Sequence, residues 1–336
     1  MTISSTMKIV RFHKHGGAEG LRVEDVPDVA PGPGDVRVRA EAIGVGVPDK
    51  LMLNGNYPWC PPLPVIPGNE MAGTIDAVGD GVTRFSVGDR VYVNSRELPE
   101  RGGGYVEAAV VPADIPFALP DAVSAEQAVT LGNYQLAWLL LNKAAAPEPD
   151  QSILVHAAAG GVGNALVQLA KEMGVKVFGI AGGSEKARYV AELGADGVID
   201  RKTEDIAMRV GQVTGGRGVD VIYDSVGGQD FQQNFGMLAP MGIVVLFGYL
   251  GGHPDPNVYD TMRANFGKSL AMRLFSIHVY DDQPELRRHA MEQSINAMAA
   301  GIASPKINAR MKLDEAADAI RLLETGSVTG KIVLTP

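Results

Sequence analysis

With one cysteine, Cys60, in 336 residues, the chain can neither close an internal disulfide nor assemble a four-cysteine metal site. That scarcity fits a reducing compartment, and a cytoplasmic location is the expectation. Cys60 lies in Pro58-Trp59-Cys60-Pro61-Pro62, where a bland loop cysteine is expected rather than a nucleophile. Positive charge is short as well. The 30 Lys and Arg against 39 Asp and Glu leave a net charge of −9, which argues against non-specific binding to nucleic acid or to an anionic membrane surface. A local basic pocket for an anionic cofactor is still allowed. Long apolar runs are missing too: residues 129–141 and 242–250 are too short or too broken to span a bilayer. Residues 1–12 lack the apolar core of a signal peptide. Hydrophobic residues, by contrast, make up 46% of the chain, enough at this length to fill the cores of two domains.

The first 120 residues read as short strands punctuated by Pro and Gly, such as Pro31-Gly32-Pro33-Gly34 and Gly102-Gly103-Gly104. Residues 35–42 alternate Val36, Val38 and Ala40 with Arg37, Arg39 and Glu41, the period of a half-buried strand. This texture predicts a compact, barrel-like β domain. After Ser124, a plausible N-cap, helical and strand patterns alternate as far as residues 269–275, which predicts a doubly wound parallel sheet. Residues 285–300 and 314–323 read as helices. Residues 331–334 read as a terminal strand that returns to the first domain.

The chemistry concentrates after Ser152. An apolar run, Ser152-Ile153-Leu154-Val155, leads into His156-Ala157-Ala158-Ala159-Gly160-Gly161-Val162-Gly163, and Leu166, Leu169, Ala170 and Met173 follow at helical spacing. Strand, glycine turn and helix form the context in which such a loop cradles a dinucleotide pyrophosphate against exposed N–H groups. The usual G-x-G-x-x-G pattern appears as Ala158-x-Gly160-x-x-Gly163; a tight strand–helix turn is the plainer alternative. At the end of the next strand, Ile180-Ala181-Gly182-Gly183-Ser184, Ala181 stands where an NAD-binding unit usually carries an acid for the ribose 2′-OH. Nothing there repels a 2′-phosphate. Ser184 can hydrogen-bond one, and Lys186 can supply charge.

Taken together, several pieces resemble the medium-chain dehydrogenase/reductase superfamily, in its zinc-free NADPH:quinone oxidoreductase (zeta-crystallin-like) branch. They are Phe12-His13-Lys14-His15-Gly16-Gly17, Pro67-Gly68-Asn69-Glu70-Met71-Ala72-Gly73, Gly88-Asp89-Arg90-Val91, the glycine loop, Tyr223-Asp224-Ser225-Val226-Gly227 and Thr329-Gly330-Lys331-Ile332-Val333. The resemblance implies a GroES-like catalytic domain (residues 1–123 and 273–336), a Rossmann NADP-binding domain (residues 124–272) and an active site in the cleft between them. It also implies a homodimer, formed by edge-to-edge pairing of Rossmann sheets around the strand ending at Phe247. Zinc-dependent relatives carry a cysteine and a histidine where this chain has Gly44-Val45-Gly46-Val47-Pro48-Asp49 and Gly68-Asn69-Glu70. No metal is therefore expected, and Asp49 and Glu70 are expected to be structural, bonding loop backbone or a nearby cation.

For the cofactor, NADPH, the resemblance assigns Ala159, Gly160, Gly161, Val162 and Gly163 to the pyrophosphate. Lys186 matches the family's phosphate-binding lysine, Gly182, Gly183 and Ser184 beside it are expected to bind cofactor, and Arg201 stands where relatives have a phosphate-binding tyrosine. Asp224, Ser225 and Val226 are expected near a ribose, and Phe247, Gly248 and Tyr249 over the nicotinamide end. Gly46 and Gln135 align with a cofactor-contacting asparagine and threonine of relatives, and both depart from the pattern. Tyr57 aligns with the family's active-site tyrosine; a phenol near pKa 10 is protonated at neutral pH and can donate to a developing oxyanion. Packing against Trp59 is its alternative role. The implied reaction is hydride transfer to a small-molecule acceptor, a quinone first. An enone, alkenal or enoyl-thioester is the rival acceptor, and a non-catalytic NADPH-binding protein the third reading.

Overall fold

The structure, a computed structural model, describes residues 6–336; residues 1–5 of the stretch read for a leader lie outside the described residues. The chain divides into two compact units, one of residues 6–132 and 305–336 and the other of residues 133–304. Residues 273–304, which the sequence reading assigns to the first domain, pack with the second. The strand Ala271–Leu274 pairs with Leu238–Leu246. The helix Pro284–Ala299 is tied to Leu131–Leu139 by Gln135 Nε2 donating to the Arg287 carbonyl at 2.9 Å. Trp138 and His289 meet edge to face at 5.4 Å.

The first unit is built around the strand Asp35–Val45, whose alternating side chains Val36, Val38, Ala40 and Ala42 are buried. It pairs antiparallel with Glu70–Val78, with Ala108–Pro112 at one end and with Lys331–Thr335 at the other. Register shifts between Arg37 and Val38 and between Ala40 and Ala42 bend it from one set of neighbours toward the next, as bulges do in barrel-like sheets. The C-terminal strand thus returns to the first unit, as its pattern predicts. A strand that the sequence reading does not single out, Ile307–Lys312, pairs parallel to it.

The second unit holds a six-stranded parallel sheet among the described residues. Its spatial order is Gly197–Asp200, Lys176–Ala181, Ser152–Val155, Val219–Asp224, Leu238–Leu246, Ala271–Leu274. In chain order this is 3-2-1-4-5-6, the dinucleotide-binding arrangement, whose topological switch point lies between the first and fourth strands. Ser152–Val155 is buried throughout, which is why it reads as a continuous apolar run rather than an alternating one. The strand Leu238–Leu246 is interior, paired on both sides; the sheet edge falls instead at Ala271–Leu274, where Leu274 is exposed. Among the described residues no helix is long and apolar enough to cross a membrane.

Candidate active site

At the switch point, His156 N donates to the Tyr223 carbonyl at 2.9 Å, and the chain then turns into the helix Gly161–Glu172. The turn is tight: a Cβ on Gly163 would lie 2.2 Å from the Ala157 carbonyl oxygen and 2.7 Å from Ala158 Cα, so no larger residue fits there without moving backbone. The Asn133 side chain lies against Gly161, 2.5 Å from where a Cβ would be. Gly160 is the N-cap in extended conformation. Ala159, Gly160, Gly161, Val162 and Gly163 therefore open a 12-residue helix whose first-turn N–H groups have no intrahelical acceptor and present partial positive charge. Such a helix start, at the strand ends of a sheet of this order, has the chemistry to hold an anion.

The next strand, Lys176–Ala181, ends in Gly182 and Gly183, and Ser184 begins the helix Ser184–Glu192. A Cβ on Gly182 would stand 3.3 Å from Nε and Nη2 of Arg201, which follows Gly197–Asp200. Burial first, and then the charge of Arg201, hold the Lys186 ammonium below the usual lysine range. The fold thus brings Gly182, Gly183, Ser184, Lys186 and Arg201 together. Asp200 is an addition to the sequence reading: its Oδ1 accepts from Gly183 N at 2.7 Å. Only its place at a strand end hinted at this.

Asp224, expected near a ribose, lies at the end of the strand Val219–Asp224. Buried at 1% exposure, its carboxylate accepts from Val226 N at 2.6 Å, Gly227 N at 3.1 Å and Asn234 Nδ2 at 2.9 Å. It shapes the turn that carries Ser225 and Val226. That turn is laced to the loop after Leu238–Leu246: Leu250 N donates to Ser225 O and Gly251 N to Val226 O. Phe247, Gly248 and Tyr249 sit in this second loop, with Tyr249 exposed and its ring tilted against His253 at 4.7 Å. Gln135 is buried, with its amide committed to the Arg287 carbonyl.

Gly46 and Tyr57 belong to the first unit. Gly46 caps the helix Val47–Leu53, its N–H donating to Asp49 Oδ2 at 2.8 Å. Asp49 also accepts from Gly68 N at 3.0 Å and Asn69 Nδ2 at 3.1 Å, so one buried carboxylate clamps two loops. Burial raises its pKa to about 6, against the opposing pull of the Gly46 amide and the Lys331 charge. Glu70 pairs with the Lys331 ammonium and accepts from Gly132 N at 2.9 Å. Asp49 thus bonds loop backbone and Glu70 a nearby cation, and Asn69 donates to Asp49. Tyr57 is half-buried in the loop after the helix, its ring edge-on to Trp59 at 5.5 Å.

The Asp49 environment carries a pH signature. Its pKa rises from 3.8 to about 6 on folding, so its contribution to stability is present below pH 4 and is lost as pH climbs through 6. Asp49→Asn removes that loss. From pH 4 to pH 7 the stability of the wild type relative to Asp49→Asn is expected to fall by roughly 2 kcal/mol. Urea unfolding at the two pH values checks it, and an unchanged difference would contradict it.

Comparison with known proteins agrees with this geometry. The family model described as "Alcohol dehydrogenase GroES-like domain" matches residues 32–121, and that described as "Zinc-binding dehydrogenase" matches residues 161–296. The chain is 37% identical over 330 residues to a quinone oxidoreductase of Pseudomonas aeruginosa, covering 98% of this chain and 99% of the relative. It is 32% identical to a 2-haloacrylate reductase of a Burkholderia species, covering 97% and 98% of the two chains. The crystal structure of Escherichia coli quinone oxidoreductase complexed with NADPH superposes with a TM-score of 0.86 at 32% identity, covering 98% of this chain and all of that one. The chain belongs to the medium-chain dehydrogenase/reductase superfamily of oxidoreductases, in its quinone oxidoreductase branch.

Proposed function

We propose that the protein reduces a quinone with NADPH and without zinc. The observation that carries this reading is the pairing of a glycine-tight helix start with cations at the end of the second strand, where Ala181 replaces the usual acid. The residues fit NADPH: the helix start offers N–H groups to a pyrophosphate, and Lys186 and Arg201 offer charge to a 2′-phosphate. When bound, NADPH supplies the hydride. Tyr57 donates a hydrogen bond, and finally a proton, to the oxygen of the acceptor as negative charge develops there. Lys331 supports zinc independence, since the chain's own ammonium already neutralises Glu70. Ala271–Leu274, an edge strand with exposed Leu274, supports a homodimer that extends the sheet across two copies. A cytoplasmic location accompanies this reading and rests on the lone Cys60.

The 2-haloacrylate reductase relative favours a second reading, reduction of the double bond of an α,β-unsaturated carbonyl. Loss of nicotinamide absorbance with a simple quinone and with an α,β-unsaturated ketone decides between them. Turnover with the quinone at the higher kcat/KM is expected. Turnover with the enone alone would move the protein to the double-bond reductases. Tight NADPH binding with neither acceptor consumed would favour the non-catalytic reading.

A further inference from the structure

We propose that Lys202 is the third cation of an anion cradle shared with Lys186 and Arg201, and that it discriminates a 2′-phosphorylated adenosine cofactor from its unphosphorylated counterpart. The inference deepens the NADPH reading above and rests on it. Neither the sequence motif nor the resemblance points to Lys202; the geometry does. A Cβ on Gly183 would lie 3.7 Å from Lys202 Nζ and within 3.9 Å of its Cδ and Cε, so the lysine stem runs over the one residue between Gly182 and Ser184 that has no side chain. Gly183 has φ +103°, a conformation that side chains disfavour.

The segment bearing Lys202 is fixed by the chain itself. Asp200 Oδ1 accepts from both Gly183 N at 2.7 Å and Lys202 N at 3.0 Å, joining the two strand ends through one oxygen. Arg201 N donates to the Ala181 carbonyl at 3.0 Å, and Asp200 N to Glu204 Oε2 at 2.8 Å. The acids of this turn are thereby engaged, Asp200 by two amides and Glu204 by an amide and by Arg209 at 3.2 Å. Lys186, Arg201 and Lys202 gather around Gly182 and Gly183, beside the Asp200 carboxylate, which its amide donors and then the charges of Lys202 and Arg201 hold below the usual range. Their mutual repulsion shows in Lys186, where the charge of Lys202 adds to burial and to Arg201 in lowering the ammonium pKa, against Glu185. A dianionic phosphate seated there relieves that repulsion, whereas a ribose hydroxyl does not.

The test is calorimetric binding of adenosine 2′,5′-bisphosphate and of 5′-AMP to the full chain, as wild type and as Lys202→Ala, Lys202→Glu, Lys186→Ala and Arg201→Ala. In Lys202→Ala the preference for the bisphosphate over AMP is expected to fall about tenfold, the low end for one hydrogen bond to a charged group, and in Lys202→Glu further still. A preference unchanged in both Lys202 variants but reduced in Lys186→Ala or Arg201→Ala would overturn the assignment of Lys202 and leave the NADPH reading standing. Equal weakening of both ligands by Lys202→Ala would also overturn it, since the lysine would then act through the turn. A wild type that binds the two ligands alike, with no variant altering the ratio, would overturn cradle and NADPH reading together.

Discussion

Lys331→Met is expected to destabilise the first unit by about 3–5 kcal/mol, the cost of stranding one member of a buried ion pair. Lys331 is 5% and Glu70 8% exposed, so neither charge has water to fall back on. Glu70 retains Gly132 N and the Tyr92 hydroxyl at 3.3 Å, but these neutral donors do not replace an ammonium. The effect reaches beyond the pair, because Lys331 also faces Asp49, whose carboxylate its charge favours. The double variant Glu70→Gln/Lys331→Met removes both charges and should recover a large part of the loss, as a coupled pair must. Denaturant unfolding of the four proteins in the cycle measures this. A single variant costing less than about 1 kcal/mol would place the pair among those that contribute little.

Tyr57→Phe carries the largest expected effect on turnover. Removing the phenolic O–H while keeping the ring preserves the edge-on contact with Trp59 at 5.5 Å, so folding and cofactor binding should be unchanged. If the hydroxyl stabilises negative charge on the acceptor oxygen, kcat falls by about 10²-fold, the usual scale for one positioned proton donor, with little change in KM. Steady-state kinetics at saturating NADPH separates the roles. An unaltered kcat would leave Tyr57 as a packing residue of the loop after Val47–Leu53.

Much of this architecture is legible in the residues. Ser152–Val155 announces a fully buried strand by its apolar run, the step to Gly160 and Gly163 announces the helix start, and Ser124 announces a cap, since its hydroxyl accepts from Gln127 N. These are local signals, set by neighbours a few positions away. What pairs over long distances is not local. Lys331 and Glu70 are 261 positions apart, and nothing in Thr329-Gly330-Lys331 tells which carboxylate the ammonium meets. Ile307–Lys312 does alternate, with Ile307, Ala309 and Met311 half-buried and Asn308, Arg310 and Lys312 exposed, a local signal that the sequence reading does not single out; only its partner, Lys331–Thr335, lies beyond local pattern. Residues 273–304 switch units for a similar reason: what holds them is the partner strand Leu238–Leu246 and a buried glutamine, not their own pattern. At the site, residue type identifies Asp224 as polar at a strand end. Only its three donors show that it shapes a turn.

In the proposed reaction, hydride passes from NADPH to a quinone. The most direct measurement compares NADPH and NADH as donors to a simple quinone, by the loss of nicotinamide absorbance under steady-state conditions. A kcat/KM for NADPH about 10²-fold above that for NADH is predicted, the worth of two charge-assisted contacts to a 2′-phosphate at partly exposed positions. Equal use of the two donors would contradict the assignment of Lys186 and Arg201, and no oxidation with either would contradict the reaction itself.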